Sequence, residues 1–108
     1  MNRMDCPPPP QLNDAQEVAL IRIKQNCRFP LRCEPKDLPK GIREYYVYVL
    51  IFTFDMTIPQ VAWFFHRHRS TIARDYDDAI WKRSHIKSYE KVLLNTRAQL
   101  LYMNSIHK

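Results

Sequence analysis

The stretch TIPQVAWFFHRHRSTIARDYDDAIWK, residues Thr57–Lys82, decides how this chain folds. Thr57 is a good helix cap and Pro59 fits a first helical turn. Gln60 stands where its side chain reaches back to the cap. Ile58, Val61, Ala62 and Phe65 then form an apolar stripe at helical spacing, with Trp63 and Phe64 expected to split between packing and surface. After the polar residues His66-Arg67-His68-Arg69, Ser70 offers a second cap. From there Ile72, Tyr76, Ala79 and Ile80 recur at the helical period and give the second helix an inward face. Two helices joined by so short a turn predict a helix-turn-helix over 57–82. Ala62 fits that reading, because a bulky side chain there would hold the two helices apart.

The rest of the chain reads as helices around this pair. Asn13 and Asp14 open a first helix that runs to about Cys27, with Val18, Leu20 and Ile21 on one face and Arg22 and Lys24 largely off it. Phe29–Pro39 reads as a loop because of Pro30, Pro35 and Pro39. The run Ile42–Phe54 has strand-forming residues, but no partner strand and no turn chemistry flank it. A helix buried on most of its surface also gives a nearly continuous apolar run, so a central helix is the reading taken. From Ile86 to about Asn104, Tyr89, Val92, Leu93, Leu100 and Met103 mark an amphipathic closing helix. Its stripe is long enough to offer a homodimer or another protein a surface. Residues 1–11, with Pro7–Pro10, read as a disordered leader, and 12–108 as one all-α domain, a small helical bundle containing the helix-turn-helix.

Composition agrees with that class. The chain has 108 residues, 45% of them hydrophobic, which suits one globular domain. Its one glycine, Gly41, is too few for a sheet protein with several tight hairpins. The longest apolar run, Tyr45–Phe54, is about half a membrane span. No secretory leader stands at Met1–Pro10, so Cys6, Cys27 and Cys33 are expected to be free thiols in a reducing cytoplasm. Their spacing matches zinc sites poorly, and neither a metal nor a cofactor is expected. No nucleophile–base pair or paired carboxylate set stands out, which argues against an enzyme.

The net charge is +6, which permits an anionic partner without naming one. Its distribution says more: no acidic residue lies between Met56 and Arg74, while His66, Arg67, His68, Arg69 and Arg74 all do. The second helix of a helix-turn-helix points its early outward residues at base edges in the major groove. Here those are Arg69, Ser70, Thr71 and Arg74. Arginine can donate two hydrogen bonds to guanine, and Ser and Thr pair with several base edges. Arg67 and His68, in the turn, are placed for phosphates.

With these residues assembled, Thr57-Ile58-Pro59-Gln60-Val61, Phe65 and Arg67-His68-Arg69-Ser70-Thr71-Ile72 resemble the C-terminal DNA-binding domain of the bacterial replication initiator DnaA. The resemblance covers roughly Lys40–Leu101. It implies that Arg69, Ser70 and Thr71 contact bases and phosphate. It also implies that Arg43, with Lys40 nearby, reaches an adjacent minor groove. The chain departs from the family pattern in a turn one residue shorter, in His66 where glycine is usual, and in Arg69 at the signature His. Asp77 and Asp78 stand where the family tends to be basic. There is no GxxxxGK[ST] loop, so the ATP chemistry of a full initiator is not expected. The function expected is sequence-specific binding of double-stranded DNA in bacterial transcriptional or replication control. The alternative is a protein-interaction module on the same fold, supported by Asp75, Asp77, Asp78 and the aromatic Trp81.

Overall fold

In the computed structural model, which describes residues 11–102, the first helix, α1 (Asp14–Asn26), starts at the expected cap. Asn13 Oδ1 accepts from the Gln16 amide at 2.8 Å, and Gln16 Oε1 accepts from the Asn13 amide at 3.1 Å. This reciprocal pair satisfies two amides that a helix start otherwise leaves open. Residues 1–10 of the leader read at 1–11, and Met103 and Asn104 of the closing helix, lie outside the described residues.

The buried arc of α1 is not the one expected. Gln16, Ala19, Leu20, Ile23 and Cys27 face inward, whereas Ile21 is 53% exposed and Val18 only half-buried. Arg22, expected off the packed face, is buried and donates to the Leu100 carbonyl. The reason is that α1 packs against two helices, α2 and α5, described below. A guanidinium can be accepted between helices where a backbone carbonyl receives its hydrogen bonds.

The connection that follows is a packed structure. Cys27–Leu31 makes a wide helical turn that is broken by extended Phe29, and Arg32 closes it in the left-handed conformation at φ 57°. Pro35–Asp37 forms one tight turn, with Pro35 and Leu38 buried beneath.

The ambiguous apolar run is a helix, α2 (Lys40–Phe52). Tyr46, Val47, Tyr48, Val49 and Leu50 are all buried in succession, which a helix achieves only when neighbours surround it. Here α1, α3, α4 and α5 all pack against it. Past its end, Asp55 turns left-handed at φ 57°, and the Met56 amide donates to the Leu50 carbonyl at 3.0 Å. The chain reverses there into α3 (Ile58–Phe65), which is followed by α4 (Arg69–His85) and α5 (Lys87–Tyr102).

On α4 the inward residues are Ile72, Asp75 and Ala79, with Tyr76 half-buried. Ile80, expected inside, is 42% exposed, because the buried arc runs along 72, 75 and 79. On α5, Tyr89, Leu93, Thr96 and Leu100 lie inward, while Val92 falls at the margin with 37% exposed. The described residues are all helix, turn and connection, without a strand. No helix among them is long and apolar enough to cross a membrane. The architecture is a small all-α bundle wrapped around α2.

Candidate nucleic-acid interface

The site begins with the reason α3 is short. Thr57 accepts from the Gln60 amide at 3.3 Å, and the Gln60 side chain accepts from the Thr57 amide at 2.9 Å, the capping box read from the sequence. Val61, Ala62, Phe64 and Phe65 are buried and Trp63 is half-buried. After Phe65, His66 adopts the left-handed conformation (φ 55°, ψ 45°). Its amide donates to the Trp63 carbonyl at 3.3 Å, and that of Arg67 donates to the Ala62 carbonyl at 3.0 Å. This pair of bonds closes a helix end tightly, and glycine normally occupies the left-handed position. A bulky residue accepts it here because α4 must begin three residues later.

The α4 cap corrects the sequence reading. His68, not Ser70, is the cap residue: its Nδ1 accepts from the Ser70 amide at 3.3 Å and lies 2.9 Å from Ser70 Oγ. Ser70 therefore stands in the first turn, facing out. Helical spacing then divides the segment. Ile72 points into the core and Thr71 is half-buried, while Arg69, Ser70 and Arg74 are exposed on the outer face. Arg67 is also exposed and is steadied from the other side by donating to the Lys36 carbonyl at 2.8 Å. Along α4 the first exposed acidic residue is Asp77, two turns in, since Asp75 is buried. The amides at the start of α4 add a partial positive charge of their own.

Arg43 does not join this surface, contrary to the expectation that it reaches a minor groove. Its side chain is 7% exposed and grips Asp75 through Nε at 2.6 Å and Nη2 at 3.3 Å. The cause lies in α4: Asp75 sits on the inward arc between Ile72 and Ala79, and a buried carboxylate needs a counter-ion. Arg43, on the facing helix, supplies it with a two-pronged donor. Lys40 is likewise committed. It binds Glu44 and lies 2.7 Å from Asp78, so three carboxylates, counting Asp75 at 4.0 Å, surround its charge.

Beneath Lys40, Glu44 is almost fully enclosed. It accepts from Lys40, from Lys82 at 3.1 Å through both oxygens, and from the Tyr89 hydroxyl at 2.7 Å. Burial pushes the Glu44 carboxyl up, but these three donors outweigh it and hold it below the ordinary carboxylate value. Burial, and then the bond to Glu44, push the Tyr89 hydroxyl well up. The network ties α2, α4 and α5 together beneath the exposed face. Sequence reasoning placed Lys40 and Arg43 at a ligand and missed Glu44, Lys82 and Tyr89 altogether. Only Glu44, an acid inside an apolar run, signalled a buried pairing.

A second cationic group escaped the sequence reading. Lys24, Arg28, Arg32 and Lys36 recur every fourth residue from α1 into the connection, with Glu34 and Asp37 among them. They border two adjoining hollows beside the end of α3, one of them shared with Trp63, Phe64 and His66. The exposed cations thus continue from α4 through Arg67 onto the α1–α2 connection. Among the described residues no cluster of three His, Cys, Asp or Glu side chains is placed to hold a metal ion. Comparison of the chain with protein-family models, with curated proteins and with solved structures finds no match.

Proposed function

We propose that this chain binds double-stranded DNA and reads its sequence with the first two turns of α4, in transcriptional or replication control. The observation that carries the reading is the exposure of Arg69, Ser70 and Arg74 on one face of α4, beside Arg67, in a segment with no acidic residue between Asp55 and the buried Asp75. Arg69 is the side chain for a guanine edge and Ser70 a smaller partner that lets the backbone approach. Thr71, half-buried, offers its methyl or hydroxyl from the flank of the same turn. Arg67 and His68 would hold phosphates from the turn. Lys36, Arg28 and Arg32 extend that cationic track, while the minor-groove role expected of Arg43, with Lys40 nearby, has no support once Arg43 is buried on Asp75 and Lys40 is paired with Glu44 and Asp78. The likeness of this segment to the DNA-reading domain of the replication initiator DnaA supports the same assignment.

A protein-interaction module is the rival reading. Part of its acidic support is engaged within the chain, since Asp75 is buried on Arg43 and Asp78, its side chain still 41% exposed, is paired with Lys40. Its remaining support is Asp77, exposed on α4, and Trp81, 57% exposed and stacked on His85 with ring centroids 4.1 Å apart.

Selection of bound duplexes from a random pool separates the two. A DNA reader enriches a defined site of a few base pairs. Arg69→Ala then weakens binding to that site by about 1–3 kcal/mol and relaxes one position, whereas Arg67→Ala weakens all duplexes alike. A pool that remains random after repeated selection is the result against the proposal.

A further inference from the structure

We infer that Cys27 and Cys33 form an oxidative modification site, a dithiol that a peroxide converts to an intrachain disulfide across the connection between α1 and α2. The backbone sets up the pair. The wide turn Cys27–Leu31 and left-handed Arg32 fold the chain back until the Cys33 amide donates to the Cys27 carbonyl at 2.9 Å. That direct backbone bond brings the two residues side by side, the proximity that a disulfide between them requires. Both are free thiols, and their exposures differ: Cys27 is fully enclosed and Cys33 is partly open. Burial first, and then the adjacent Cys33 thiol, push the Cys27 thiol up to about 11.

That asymmetry assigns the roles. Cys33 opens into a hollow bordered by Lys24, Arg28 and Arg32, with Glu34 and Asp37 as its acidic members. It is the thiol that a reagent reaches. Its sulfur attacks one oxygen of hydrogen peroxide, the O–O bond breaks, and Cys33 becomes a sulfenic acid as one water leaves. Cys27 then attacks the Cys33 sulfur. The S–S bond forms, the S–O bond breaks, and the departing hydroxide takes the Cys27 proton as a second water. Two thiols lose two electrons and two protons, and the peroxide is reduced to two waters. The enclosed position of Cys27 keeps it from reacting alone and reserves it for this second step.

The chemistry is independent of the DNA reading, but the site adjoins it. Three residues beyond Cys33, the Lys36 carbonyl holds Arg67.

Treatment of the reduced 108-residue chain with hydrogen peroxide, followed by trypsin and mass spectrometry, tests the proposal. Cleavage at Lys24, Arg28, Arg32 and Lys36 places the two cysteines on separate peptides, Gln25–Arg28 and Cys33–Lys36. The expected product is these two peptides joined, lighter by two hydrogens and separated again by dithiothreitol. Closing this short loop should also raise the Tm of the oxidised chain by about 5 °C, a gain absent from Cys33→Ser. If the only products are Cys33 carried on to sulfinic acid with Cys27 still reduced, or mixed disulfides through Cys6, the proposal is overturned.

Discussion

Three side-chain-bearing residues, Arg32, Asp55 and His66, hold the backbone left-handed where glycine would be unstrained. Arg32 and His66 close helical segments and Asp55 follows the end of α2, and at His66 the strain sits inside the turn that presents Arg67 and Arg69. The left-handed conformation costs a non-glycine residue about 1–2 kcal/mol, so His66→Gly should stabilise the fold by roughly 1 kcal/mol in urea unfolding. No gain would mean that the His66 side chain compensates through contacts of its own. A second residue-scale consequence concerns Arg43. Removing one member of a buried ion pair strands the other, at about 3–5 kcal/mol. Arg43→Ala should therefore lower the urea midpoint sharply. A fully stable Arg43→Ala that had lost only DNA affinity would restore Arg43 to the interface.

At the scale of elements, the Glu44 network sets the acid limit of stability. Its folded carboxyl lies below the ordinary value of 4.5, so its stabilisation is present above that pH and is lost as the pH falls through the folded value. The raised Tyr89 hydroxyl acts at the other end, where stability is lost as the pH rises above its ordinary value of 10.0. Thermal unfolding should show a plateau between these limits, and Glu44→Gln should lower the plateau and flatten its acid edge. An acid edge identical in Glu44→Gln would assign it to other carboxylates. The α3–α4 crossing makes a separate demand on Ala62, which is 6% exposed. Ala62→Leu should destabilise by about 1–3 kcal/mol through overpacking, measured by urea unfolding. Local signals of this kind were the legible ones. The Asn13 cap, the Thr57 capping box and the Pro59 opening all follow from residues within a turn of each other, whereas the helical reading of α2 rests on the lack of any partner strand. What long-range pairing decides was not legible: Arg22 inward and Ile21 outward on α1, Asp75 taking Arg43 out of the site, and His68 displacing Ser70 as cap. In each, a partner from a distant helix or a competing side chain overrode the local pattern. The sequence alone does not say which helices will face each other.

For the whole molecule, the account rests on where charge lies. Carboxylates and cations pair across α2, α4 and α5 within the bundle, while exposed cations lie around the start of α4 and, interspersed with Glu34 and Asp37, along the α1–α2 connection. If this surface binds DNA as proposed, binding releases the polyanion's counter-ions and weakens steeply with salt. The direct measurement is a fluorescence-anisotropy titration of the chain against a random-sequence duplex at 50 and 200 mM salt. With about four phosphates neutralised, the apparent Kd should rise by about 10²-fold between the two, and Arg67→Ala should lower the salt slope by about one. Binding that is absent at both salt concentrations, or that is indifferent to salt and to Arg67, would contradict the central claim.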